Sequence, residues 1–281
     1  FADERKSQIM QRISEISEKD LVQKKEVVIN ITEKGYVKRI DLKTYKEQKR
    51  GGRGVIGSDL STGDFIKQLL TCSTHDYLLF FTSKGRVYWL KAHQIPEGER
   101  YGKGRAIINL LNLKDEIIAS VISVKKFEGF LIFVTKNGIV KKLPLSNLSK
   151  PRSTGVRIMN LPLTGEDILI HVQPIAGKQE MLLVTKDGQA IRFNSDEIRS
   201  MGRASYGVTG IKLEKGDEVV SLEVLPLEKS KSTILTITEK GYGKRSAIED
   251  YRLTGRAGKG VINLRVSEKT GPVVTTVSVD E

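Results

Sequence analysis

The chain has one cysteine, Cys72, in 281 residues. That excludes an internal disulfide and any cysteine-built zinc site, and it points to a reducing, cytoplasmic setting. Histidine is nearly as scarce. His75, His93 and His171 fall in different stretches, so neither a zinc set nor a thiol–imidazole pair can be assembled, and each reads as a surface or loop residue. No apolar run approaches the roughly 18 residues of a membrane-spanning helix. The longest, Tyr77 to Phe81, has the length of a strand. No signal-peptide pattern opens the chain, and Phe1 in place of methionine reads as a piece of a longer protein.

What is present is charge of one sign. Lys and Arg number 47 against 34 Asp and Glu, a net charge of +13, within an ordinary globular composition of 38% apolar and 29% charged residues. Such an excess suits a polyanionic partner, either nucleic acid or an anionic membrane surface, but it also serves plain solubility. Where the charge sits separates these readings.

The chain is built from five copies of one unit. An apolar strand, a Thr, two residues and a glycine recur, with the glycines at Gly35, Gly85, Gly138, Gly188 and Gly241, spaced 50, 53, 50 and 53 residues apart. Each glycine closes a tight hairpin turn. A second short strand follows (Val37 to Ile40, Val87 to Leu90, Ile139 to Leu143), then a polar loop ending in a basic, glycine-bearing phrase. A third strand, such as Ala106 to Leu110 or Val261 to Val266, comes next. The fourth is Phe65 to Cys72, Ile117 to Val124, Ile168 to Ile175, Val219 to Leu225 or Val273 to Val279. Four strands per unit of this length predict an all-β, blade-type architecture of four-stranded blades. The repeats fall at about 27–76, 77–129, 130–179, 180–231 and 232–281. Residues 1–26 read as a linker or short helix from an upstream domain, with Ile9, Ile13 and Ile16 on one face; the alternation around Lys6 to Met10 fits an edge strand instead.

Five windows, 34–53, 84–105, 136–157, 186–203 and 240–259, run from hairpin to glycine phrase and hold 30 Lys or Arg against 9 Asp or Glu. The rest of the chain holds 17 against 25. The windows thus carry +21 and the remainder −8. Solvated charge explains any one window, but five in register on a blade-type fold make a continuous basic belt, the footprint of sequence-independent phosphate binding. Glycines beside the cations let backbone N–H groups approach phosphate.

The densest phrase is Gln48-Lys49-Arg50-Gly51-Gly52-Arg53-Gly54. It resembles the seven-residue box of the C-terminal domain of the DNA gyrase A subunit, with lysine where arginine is commoner at the second place. Gly35-Tyr36-Val37-Lys38-Arg39, Gly85-Arg86-Val87-Tyr88, Ser200-Met201-Gly202-Arg203 and Gly241-Tyr242-Gly243-Lys244-Arg245 are similar to that family, and Phe1 to Arg5 resembles its junction with the catalytic part. The resemblance runs from about Val27 to the end. It implies a β-pinwheel, a propeller-like disc whose blades exchange strands, that bends a DNA segment around its rim for a type IIA topoisomerase. It also implies three partners: duplex DNA, an ATPase B subunit, and the catalytic part of the same A subunit. It implies no membrane and no cofactor in this chain. The family typically carries six repeats where five are found here. Either a sixth lies outside this sequence, or the disc has five blades, as in the related topoisomerase IV subunit.

The residues expected to meet DNA are the box, Gln48, Lys49, Arg50, Gly51, Gly52, Arg53 and Gly54, with Lys38, Arg39, Arg86, Arg100, Lys103, Arg105, Lys142, Arg152, Arg157, Arg192, Arg203, Lys244, Arg245, Arg256 and Lys259. Tyr101 and Tyr206 border basic loops and suit packing or stacking on sugar, Trp89 reads as core, and Asp196-Glu197 and Glu249-Asp250 suit turns or caps. No catalytic or metal-binding constellation emerges. The competing reading is a repeat scaffold for protein partners, which needs no co-registered cations.

Overall fold

The computed structural model describes residues 21–44, 63–99, 102–113, 116–162, 164–226 and 232–280. The choice between helix and strand around Ile9, Ile13 and Ile16 lies outside the described residues. So do the box, Gln48 to Gly54, and Arg100 and Tyr101.

The first repeat contributes β1 (Glu26–Thr32), β2 (Tyr36–Asp41) and β3 (Ile66–Ser73). The second contributes β4 (Tyr77–Thr82), β5 (Arg86–Lys91), β6 (Arg105–Ala106) and β7 (Ile118–Val124). The third has β8 (Phe130–Thr135), β9 (Ile139–Pro144), β10 (Val156–Arg157) and β11 (Leu169–Ile175). The fourth has β12 (Glu180–Thr185), β13 (Gln189–Asn194), β14 (Val208–Thr209) and β15 (Val219–Val224), and the fifth β16 (Ser232–Thr238), β17 (Gly243–Ala247), β18 (Val261–Ile262) and β19 (Val273–Asp280).

The recurring Thr of each hairpin has a mechanical role. The Oγ1 atoms of Thr32, Thr82, Thr135 and Thr185 accept the backbone N–H four residues on, at Tyr36, Arg86, Ile139 and Gln189. A carboxylate at the start of the fourth strand closes the same turn from the other side: Asp64 accepts from the N–H of Lys34, Asp167 from Asn137, and Asp217 from Asp187. Each such bond occupies a turn N–H that would otherwise need water.

The third strand departs from the sequence expectation in length and in partner. It spans two residues rather than five or six, and it joins the sheet of the preceding repeat. The sheet orders are β3-β1-β2-β6, β10-β5-β4-β7, β11-β8-β9-β14 and β15-β12-β13-β18. Val156 thus lies opposite Val87, Val208 opposite Val140, and Val261 opposite Ala190. Among the described residues the fifth sheet is three-stranded, β17-β16-β19.

The chain divides into two compact units. The smaller holds residues 1–76 and 91–105. In it the segment after Lys91 returns along the first repeat: the N–H groups of Ala92 and His93 donate to Asp76 and Thr74, and that of Gly98 to Arg39. The larger unit, 77–90 and 106–281, has its apolar clusters between successive sheets. Phe81 and Trp89 pack with Leu131, Phe133, Leu145 and Leu148. Ile132 and Val134 pack with Met181, Leu183 and Phe193, and Leu182 and Val184 with Ile234, Ile248 and Tyr251. Within this unit each repeat therefore buries its apolar face against its neighbour, the quasi-one-dimensional logic of repeat proteins. At one side of this unit β7, β11, β15 and β19 lie beside one another, linked by Ser120 Oγ to the Val172 carbonyl, Gln173 Nε2 to the Leu222 carbonyl, and Thr276 Oγ1 to Ser221 Oγ. The donated strands form the opposite edge of each sheet.

Candidate nucleic-acid interface

The cations of the basic windows divide into two populations, and their register after the hairpin glycine decides which. Four residues beyond that glycine stand Arg39, Trp89, Lys142, Arg192 and Arg245. The first four send an N–H to a main-chain carbonyl at the 3-10 turn that follows the second strand of the next repeat. Arg39 Nε donates to Ile95 (3.2 Å), Trp89 Nε1 to Leu148 (2.9 Å), Lys142 Nζ to Ser195 (3.3 Å), and Arg192 Nη1 to Ile248 (2.8 Å) and Tyr251 (2.9 Å). Arg192 also holds Glu180 at 2.6 Å, with both side chains largely buried. Arg245, in the last repeat, bonds Thr233 Oγ1 of its own sheet.

Three residues beyond the glycine stand Lys38, Tyr88, Lys141, Ile191 and Lys244. Lys38 Nζ donates to the carbonyls of Glu99 and Gly102, and Lys244 Nζ to that of Asn263. Burial lowers the Lys38 pKa, and that of Lys141 to about 8. Lys38, Lys142 and Arg192, expected at a DNA surface, are buried with their head groups on main-chain carbonyls. Arg39 is likewise turned to Ile95 and to Glu97, 3.4 Å away. These four leave the candidate interface. An ammonium or guanidinium can be buried when its donors are matched by acceptors, and carbonyls of the following repeat supply them.

The second population lies on the glycine-bearing loops and donated strands. Lys103, Arg105, Arg152, Arg157 and Arg203 are exposed. Lys103 sits 4.1 Å above the Tyr36 ring, a cation–π contact that leaves its far side to solvent. The clearest convergence is in the larger unit, where Arg86, Arg152, Gly155, Val156, Arg157, Gly202, Arg203 and Ala204 line a shallow groove. Four arginines and no carboxylate face it. Arg86 anchors its floor: Nη2 donates to the Thr154 carbonyl at 2.7 Å, and Nε lies 3.6 Å from the buried Glu116 carboxylate. Gly155 lets the loop settle there, since at φ +69° a Cβ would stand 2.6 Å from the Tyr88 ring.

In the fifth repeat the expected contacts are partly engaged within the protein. Arg256 donates to the carbonyls of Glu197 and Thr209, and Lys259 pairs with Glu214 at 2.6 Å. Lys244 and Arg245 remain exposed beside their bonds. Tyr206 takes the packing role: its hydroxyl donates to Asp167 at 2.6 Å, and burial, aided by that carboxylate, pushes its pKa up. Trp89 is core. His75 lies in a turn and His93 in a 3-10 turn, as loop residues, whereas His171 lies in β11; all three are half-buried, with one ring nitrogen of each meeting a carbonyl, of Val22, Thr74 and Val220 respectively. Asp196 and Glu197 form a 3-10 turn, as do Glu249 and Asp250. Lys141, absent from the candidate residues, is the most deeply buried cation among the described residues; aligning the repeats on their hairpin glycines brings it into register with Lys38. Among the described residues no group of three or more His, Cys, Asp or Glu could hold a metal, and no helix is long and apolar enough to cross a membrane.

Four tandem four-stranded sheets, each completed by a strand from the next repeat, with a fifth sheet of three described strands, define a repeat-built all-β protein of the propeller class. The chain belongs to the DNA gyrase C-terminal domain family, described as a beta-propeller, whose pattern matches residues 27–73, 76–126, 129–176, 179–226 and 232–280. It is 41% identical over its full length to the DNA gyrase A subunits of Staphylococcus epidermidis and of Staphylococcus aureus, and spans about a third (32%) of those proteins. Among solved structures it is similar to a DNA gyrase A C-terminal domain (29% identity, TM-score 0.74, covering 92% of this chain and 84% of that one). It is similar too to the C-terminal domain of DNA topoisomerase IV (28%, TM-score 0.73, covering 92% and 79%).

Proposed function

We propose that this chain binds duplex DNA without sequence preference, and bends and wraps it along its basic loops, as the accessory C-terminal domain of a gyrase-like type IIA topoisomerase. The chemistry of strand cleavage and ATP hydrolysis then belongs to other parts of the parent enzyme: an ATPase B subunit and the catalytic part of the A subunit, in the cytoplasm. The observation that carries this reading is the groove of Arg86, Arg152, Arg157 and Arg203, lined by no carboxylate and formed by two glycine-bearing loops, the donated strand β10 and the start of β5. Guanidinium groups match phosphate oxygens bidentately, and a shallow groove with no donor–acceptor pattern for base edges suits backbone contact. Lys103, Arg105 and the box cations Lys49, Arg50 and Arg53 extend the same chemistry to the first two glycine phrases. Similarity to gyrase A subunits at 41% identity favours a supercoiling parent over a topoisomerase IV-type decatenase.

The test is a titration of a random-sequence duplex against salt. With one or two phosphate contacts per basic loop, about 5–10 in all, log K falls with log salt at a slope of roughly −5 to −9. Replacing Arg152, Arg157 and Arg203 together by Ala makes that slope shallower by about 3. A wild-type slope near −1, or a triple variant that binds like wild type, refutes the assignment.

A further inference from the structure

Lys141 is fully buried, at 0% exposure, in the middle of β9. Its Nζ donates to three main-chain carbonyls: Ile158 at 2.6 Å, Arg203 at 3.0 Å and Ser205 at 2.9 Å. An ammonium has three N–H donors, so all are used and none remains for a phosphate. The three carbonyls come from two different loops. Ile158 follows the donated strand Val156–Arg157 of the third repeat, and Arg203 and Ser205 belong to the glycine phrase of the fourth. These loops carry the facing arginines of the groove, Arg152 and Arg157 on one side and Arg203 on the other. Among the described residues, the main-chain tie between them is one backbone bond, Asn160 N–H to the Ser205 carbonyl at 3.2 Å.

We infer that Lys141 is a positioning residue for DNA binding: it bolts the two arginine loops together across the base of the groove and so fixes the spacing at which their guanidinium groups meet the phosphate backbone. The inference rests on the groove being the phosphate site. In the same register Lys38 also donates to main-chain carbonyls of the next glycine phrase, Glu99 and Gly102, both in one loop, so the tie across two loops belongs to Lys141; the equivalent Tyr88 and Ile191 meet the following phrase with apolar atoms against Gly155 and Gly258. A charge at this position thus pulls on main-chain carbonyls, an attraction a neutral side chain of similar length does not supply.

The experiment uses Lys141→Met, Arg203→Ala and the double variant in the whole chain. Hydrogen exchange without DNA is expected to quicken at least tenfold at residues 203–207 in Lys141→Met, with β8 and β12 unchanged. Affinity for a random duplex is expected to fall several-fold in each single variant, and the double variant to bind within twofold of Arg203→Ala, because the lysine acts through the arginine. Losses that multiply in the double variant, or unchanged exchange at 203–207, overturn the inference. Full affinity in Arg203→Ala instead overturns the groove assignment, and the exchange measurement then decides the bolt alone. If Lys141→Met does not fold, Lys141→Gln, which keeps two N–H donors but no charge, is read the same way: quickened exchange at 203–207 supports the bolt, and unchanged exchange overturns it.

Discussion

Replacing Arg192 by Met and Arg152 by Ala removes one cation each, from the same kind of basic window, yet the structure demands opposite outcomes. Arg192 is 10% exposed; it holds Glu180 at 2.6 Å and two carbonyls of the following repeat. Its loss leaves the largely buried Glu180 carboxylate without its arginine. Removing one partner of such a pair costs about 3–5 kcal/mol. At roughly 2–4 °C per kcal/mol for a chain of this size, the apparent Tm falls by about 10 °C. Because the guanidinium faces carbonyls rather than solvent, the salt slope of DNA binding, measured well below the transition, stays within about 0.5 of wild type. Arg152 is exposed on the groove. Its removal changes stability by less than about 0.5 kcal/mol and makes the slope shallower by about 0.9. Thermal denaturation and salt-dependent fluorescence anisotropy on the two variants distinguish these outcomes. The double change Glu180→Gln with Arg192→Met should cost less than the single change, since it removes the buried carboxylate charge as well. An Arg192→Met variant whose salt slope falls by a full unit while its Tm stays put would refute this division of the cations.

Two further outcomes follow from local geometry. Gly155→Ala meets both a left-handed φ of +69° and the Tyr88 ring at 2.6 Å, so it should cost more than about 2 kcal/mol and weaken DNA binding with the displaced arginine loop, whereas Gly165→Ala, at φ +74° with open space around it, costs only about 1 kcal/mol; urea unfolding separates them. Glu223 is raised to about 7 by burial against β19, only partly offset by the Ser278 N–H it accepts. A folded pKa above the unfolded one favours the fold fully below about pH 4.5, and that contribution is lost as pH rises through 7. Glu223→Gln should therefore match wild type at pH 4 and exceed it by roughly 1–3 kcal/mol at pH 8, which denaturant midpoints at the two pH values would show.

The repeat was legible because its turns are written in chemistry that survives without an alignment: a Thr that caps four residues ahead, then a glycine at a fixed offset. The four-strand count was legible for the same reason. The extent and partner of the third strand were not. Ala106 to Leu110 reads as one apolar run, but after Arg105–Ala106 the chain turns into a 3-10 turn at Ile107–Asn109, because the preceding sheet offers only a two-residue ladder. Alternation of polarity carries no information about which sheet a strand joins. The cations were sorted least well, since composition gives Lys142 and Arg157 the same weight. One local signal was available. Lys141 and Lys142 are adjacent in a short strand, and successive side chains point to opposite faces, so one of them must enter whatever that strand covers.

The two populations of cations also answer to salt differently, and this links the fold to the proposed activity. A protein that wraps a polyanion must release it as ionic strength rises without losing its own shape. On the proposed reading, exposed guanidinium groups such as Arg152, Arg157 and Arg203 would trade phosphate for counterions readily, and their binding would weaken steeply with salt. Lys141, Lys142 and Arg192 face carbonyl dipoles at 2.6–3.3 Å in the interior, where mobile ions do not reach. The charge that shapes the loops is thereby insulated from the charge proposed to meet DNA. A repeat whose neighbours were held together by exposed ion pairs would loosen under the same salt that frees the DNA; one held by buried cations on backbone carbonyls does not.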